Sequence, residues 1–80
     1  MFLKQIGIEL KSIRARKNLT LEDAEQITGI HKNTLSTYEN HPQQLKLGKL
    51  FHILKSYNVN EDIFFDNVCE YIRQIQIENK

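Results

Sequence analysis

The chain has 80 residues, of which 26% are charged, with one cysteine and a formal net charge of +1. That length suits one small domain over residues 1–80 whose core must be compact; the lone Cys69 excludes an internal disulfide, and no apolar stretch approaches the roughly 20 residues needed to cross a bilayer. The opening MFLKQIGIEL lacks the apolar run and small-residue cleavage site of a secretory signal, so a reduced, cytoplasmic setting is expected.

In chain order, Ile6, Leu10 and Ile13 recur at spacings of four and three with basic residues between them, which predicts an amphipathic helix over 5–17 ending near Asn18. Thr20 is the expected N-cap of the next helix. Glu22 and Asp23 sit favourably in its first turn, and Leu21, Ala24 and Ile27 form its apolar repeat. Gly29 can take the left-handed conformation that ends this helix, letting Ile30 drop into the core while His31 opens a third helix. In that third helix Leu35 and Tyr38 are the only large apolar residues. Lys32, Asn33, Thr34, Ser36 and Thr37 are polar and hydrogen-bonding, so its outer face gains little from burial and suits a ligand.

His41-Pro42-Gln43-Gln44 reads as a loop, because Pro42 lacks an amide proton and disfavours helix at His41. Leu47, Leu50, Phe51, Leu54 and Tyr57 predict a fourth helix. Asn60 is the expected cap of a fifth, where Phe65, Val68, Ile72 and Ile75 make a heptad-like stripe. No segment alternates convincingly enough for a strand, so the expected class is all-α.

Charge is unevenly distributed. Residues 1–58 carry nine Lys or Arg against five acids, a net of +4, while residues 59–80 carry two against five, a net of −3. A basic working surface is thus compatible with the low total, the acidic C-terminal helix being turned elsewhere.

The pieces IGIELKSIRARKNLTLEDA, TGIHKNTLSTYEN and LKLGKLFHILKSYNVNEDIF, in that order and spacing, resemble the Cro/repressor helix-turn-helix family of phage and bacterial regulators. The similarity covers about residues 5–66, leaving about 67–80 as an extension of the last helix. It implies a five-helix lambda-repressor-like domain whose recognition helix, near 31–39, enters the major groove of double-stranded operator DNA to regulate transcription. By match to that helix, Lys32, Asn33, Thr34 and Thr37 are expected to read bases, with His31 and Ser36 at the margins; their donors and acceptors suit guanine, adenine and thymine edges. Phosphate contacts are expected from Thr20 and the amides after it, and from Asn40, Gln43, Gln44 and Lys46. The resemblance also implies an ion pair between Arg14 and Glu39, which would set the angle between the first helix and the reading helix.

Four positions depart from the family pattern. Glu25 stands where alanine is usual and Ala24 where leucine is, so either the second helix is rotated or Glu25 reaches past a looser contact. His41 replaces a glycine that often has positive φ, and Leu21 replaces a glutamine used on phosphate.

Operator-binding proteins of this kind commonly dimerise. Phe65, Val68, Ile72 and Ile75 are the expected protein interface, for a homodimer or a heteromeric complex. The alternative function belongs to another class: a protein-binding module keeping this fold, such as an antirepressor masking a phage repressor or an antitoxin. No enzyme chemistry, metal site or small-molecule cofactor is indicated. His31, His41 and His52 have no ligand spacing with Cys69, and no nucleophile has a recognisable base.

Overall fold

In a computed structural model, which describes residues 2–78 and the side chains of residues 3–74, five helices follow in order. They are α1 (Phe2–Arg16), α2 (Leu21–Thr28), α3 (Lys32–Asn40), α4 (Leu47–Ser56) and α5 (Glu61–Glu78), with a short 3-10 turn, Pro42–Gln44, between α3 and α4. No strand occurs among the described residues. The expected all-α class is therefore observed.

Local chemistry sets most of the boundaries. Thr20 caps α2 reciprocally: its hydroxyl accepts from the Asp23 amide (3.0 Å), and the Asp23 carboxylate accepts from the Thr20 amide (3.1 Å). Gly29, at φ 74°, ends α2 in the left-handed region. Asn60 caps α5 through its side-chain oxygen, which accepts from Asp62 N at 2.8 Å.

The corners after α1 and α4 are built alike. Asn18 (φ 56°) and Asn58 (φ 61°) both adopt the left-handed conformation that asparagine tolerates. Leu19 N–H donates back to the Arg14 carbonyl and Val59 N–H to the Leu54 carbonyl, each at 2.9 Å, satisfying carbonyls that the helix end would leave unpaired. Leu19 and Val59 then tuck against the core, and the next residue caps the following helix.

Ile6, Leu10 and Ile13 of α1 meet Leu35 of α3, Leu50, Ile53 and Leu54 of α4, and Phe64 and Val68 of α5 in one apolar cluster. Helix α1 is the hub, packing on both α3 and α5, while α2 bridges α3 and α4.

Four expectations change here. In α2, Ile27 points out at 46% exposure and Thr28 is buried instead, its hydroxyl donating to the Ala24 carbonyl (2.8 Å) and accepting from Ile30 N (3.1 Å). In α4, Leu47 and Phe51 are exposed and Ile53 takes the inner place. In α5 the deepest aromatic is Phe64, fully buried, with Phe65 half-buried edge-on between Phe64 and Phe51. Val68 lies in the chain's own core, so it has no surface to offer the partner for which it was a candidate. Ile72 packs partly against the same core, and Ile75 falls outside the residues whose side chains are described.

Candidate nucleic-acid interface

Helix α3 has one buried residue, Leu35, and a half-buried Tyr38. Burying one leucine contributes only about 1.5–3 kcal/mol, so apolar packing alone holds this helix weakly. Directed polar contacts supply the rest of its placement.

At its C-terminal end, Glu39 takes a two-pronged grip from Arg14: Nε donates to Oε2 at 2.8 Å and Nη2 to Oε1 at 3.1 Å. The third guanidinium nitrogen, Nη1, donates to the Leu19 carbonyl at 2.9 Å, so the same side chain ties the α1–α2 corner to α3. The pair is largely withdrawn from water, with side-chain exposures of 15% for Arg14 and 6% for Glu39. The bond to Glu39 raises the Arg14 pKa, outweighing the opposite effect of burial. Tyr57 lies in the same field; burial first, and then the Glu39 charge, push its phenol upward.

Close backbone approach completes this end. A β-carbon at Gly7 would lie 2.3 Å from the Glu39 carbonyl oxygen, so α1 and α3 can touch here only through glycine. After α3, His41 has φ −133° and ψ 65°, not the positive φ a replaced glycine suggested, and it lies outside the helical region that a following proline disfavours.

At the N-terminal end of α3, Glu25 resolves its unusual position. Ala24 fills the tight interior site at 0% exposure, while Glu25 extends across the turn so that Oε1 accepts from the Lys32 amide at 3.1 Å. An orphan donor of α3 is thereby satisfied by a carboxylate from α2, which also suits the positive end of the helix dipole. His31 adds a second cap, its Nδ1 accepting from Asn33 N at 3.1 Å. That leaves Nε2 for a ligand. His52 of α4 donates from Nε2 to the Thr28 carbonyl (2.7 Å), securing the last turn of α2.

The outward residues then fall into place. Asn33 and Thr34 are exposed, and with Thr37, Tyr38 and Gln44 they line one shallow concavity. The Thr37 hydroxyl donates to the Asn33 carbonyl, so its methyl and oxygen lone pairs are what it can present. Ser36 and Asn40 are tied together, Asn40 Nδ2 donating to the Ser36 carbonyl (3.0 Å) and hydroxyl (3.3 Å). Lys32 reaches back to Glu22, Nζ to Oε1 at 3.4 Å. Gln43 and Gln44 are exposed on the 3-10 turn, and Lys46 is the exposed N-cap residue of α4, with no side chain capping that helix. Sequence reasoning missed Lys4, which lines a second concavity with Asn40 and Gln43. It also missed the roles of Glu25 and Gly7, which depend on partners across a turn or on another helix.

A helix-turn-helix family model matches residues 10–64, spanning the end of α1 through the first turn of α5. The chain belongs to this family of DNA-binding regulators, of the Cro/C1-like type. Comparison with curated proteins and with solved structures gave no significant match. Among the described residues no helix is long and apolar enough to cross a membrane.

Proposed function

We propose that the chain regulates transcription by binding operator DNA through α3, with Lys32, Asn33, Thr34 and Thr37 reading base edges and His31 and Ser36 at the margin. The observation that carries this reading is the continuity of Asn33, Thr34 and Thr37 with Gln44 in one polar concavity. A duplex edge meeting α3 there also meets the 3-10 turn, where backbone phosphates would be held by Gln43, Gln44 and Lys46, with Asn40 and Lys4 beside them. Thr20 and the first amides of α2 provide a further phosphate contact.

Binding to randomised duplex DNA over a salt series tests this. Affinity should fall steeply with rising salt. Alanine at Asn33 should cost about 1–3 kcal/mol at particular base pairs, whereas alanine at Lys46 should weaken all sequences alike. Absence of any sequence-dependent binding at about 50 mM salt would sink the proposal.

A second reading, capture of a protein partner, is favoured by the apolar groove that Leu3, Leu45, Leu47 and Phe65 line with Pro42. Ile72, partly buried on α5, is the other residue kept as a candidate for a second copy. Leu47, 61% exposed, can be replaced by Glu without disturbing the core. An unchanged molecular mass in sedimentation for Leu47→Glu and Ile72→Glu would remove both faces from consideration.

A further inference from the structure

We propose that Glu22 and Lys32 form one reading unit, an acceptor beside a donor, which together recognise the major-groove edge of a single G·C base pair, with Glu25 as the residue that positions it. This inference rests on the operator reading above.

Lys32 is held by α2 at two points: its amide donates to Glu25 Oε1 at 3.1 Å, and its ammonium lies 3.4 Å from Glu22 Oε1. The first contact fixes the backbone from which the side chain departs. The second is between exposed groups, 43% for Lys32 and 66% for Glu22, and such a pair adds little to stability. Two carboxylates, Glu22 and Glu25, stand against one ammonium here, so this end of α3 offers acceptors as well as a donor. That is good provision for a base edge that carries both acceptors and a donor.

Guanine presents N7 and O6 as neighbouring acceptors, and the paired cytosine presents its N4 amino donor beside them. The Lys32 ammonium has three protons, enough for Glu22 and both guanine acceptors. Glu22 retains free lone pairs for the cytosine amino group. An ammonium alone, on a flexible four-carbon stem, accepts any two neighbouring acceptors, including those of adjacent base pairs. A carboxylate held beside it repels such arrangements, because it would face oxygen or nitrogen lone pairs. An A·T pair places a donor between its two acceptors and adds the thymine methyl, so it fits the unit less well. The N-terminal residues of α3 are the ones that meet base edges in this class of fold, while α2 crosses the backbone beside them. Glu22 is therefore a specificity residue and not only a helix-start acid.

The test uses the whole chain and duplexes selected by it from a random pool. Affinities are measured for the selected duplex and for versions in which each G·C pair is changed in turn to A·T, with wild type, Lys32→Ala, Glu22→Ala, Glu22→Gln and the double alanine variant. Wild type should prefer G·C by about tenfold at one position, and both single alanine variants should flatten that preference. Glu22→Gln keeps an acceptor oxygen and should retain most of it. The double variant should lose no more there than Lys32→Ala alone, since the two act together. If Glu22→Ala and Glu22→Gln instead raise affinity equally for every duplex and leave all base preferences intact, Glu22 merely repels the backbone and the inference is overturned. Failure of wild type to enrich any sequence overturns the operator reading before a variant is made, and so is a distinct result.

Discussion

Helices α3 and α5 both pack on α1, yet they are held by different physics. Helix α5 is placed by burial: Phe64 and Val68 are almost wholly enclosed, and its one polar link to α1 among the described residues is a long exposed contact, Asn67 Nδ2 to Glu9 Oε2 at 3.5 Å. Helix α3 buries one residue and is placed by the Arg14–Glu39 grip, the Glu25 cap and the backbone approach at Gly7. A helix that must keep its outer face polar for a ligand forfeits the burial that orients most helices. Directional bonds at its two ends replace it.

That contrast can be broken by mutation. The largest loss should come from Phe64→Ala, about 3–5 kcal/mol in urea unfolding, with α3 contacts unaffected in any variant population that still folds. Next, Glu39→Ala should cost about 3 kcal/mol by stranding the Arg14 charge, while Arg14→Met combined with Glu39→Met should cost clearly less. Equal losses for the single and double variants would show that the pair is not acting as a buried charge. Gly7→Ala should cost about 1–3 kcal/mol and shift the amide resonances of Glu39 and its neighbours, because the new methyl meets backbone. Thr20→Ala should cost about 1 kcal/mol, measured by thermal unfolding, as loss of a helix cap.

The smallest effect is one of pH. Its own backbone amide, and then Lys32, hold the Glu22 carboxyl below its ordinary 4.5. A depressed carboxylate contributes stability above its unfolded pKa and loses it as the pH falls through the folded value. Wild type and Glu22→Gln should therefore differ at neutral pH and converge below about pH 4.5 in parallel unfolding series. A difference that persists unchanged into acid would show that the Glu22–Lys32 contact is not what separates them.

How far the residues foretold this molecule depended on the range of the interaction. Thr20, Gly29 and Asn60 act on amides and carbonyls within a few positions, and their boundaries were readable. So was the matched order of segments that carried the family resemblance. Helix α4 was harder, because Leu47, Leu50, Phe51 and Leu54 and the set Leu50, Ile53, Leu54 and Tyr57 are both sound helical stripes; only the location of the neighbouring helices selects the second. The adjacent pair Phe64 and Phe65 posed the same choice of face. Glu25 looked like a flaw in an apolar pattern, since its purpose is an amide seven residues on, beyond a turn. Gly7 gave no local signal at all, because the carbonyl it admits belongs to residue 39.

The twin corners at Asn18 and Asn58 bear on how the chain acquires its shape. Each closes through bonds spanning five residues or fewer, so each can form without waiting for distant segments to meet. The link between Arg14 and Glu39 spans 25 positions and must await loop closure. Folding should thus begin at these two corners, with the Arg14–Glu39 grip on α3 made later. Substitutions at Asn18 or Asn58 should slow folding, whereas loss of Glu39 should chiefly hasten unfolding. The helix with the fewest apolar anchors would then also be the first to leave, and occupancy by a ligand would be recorded most directly in the unfolding rate.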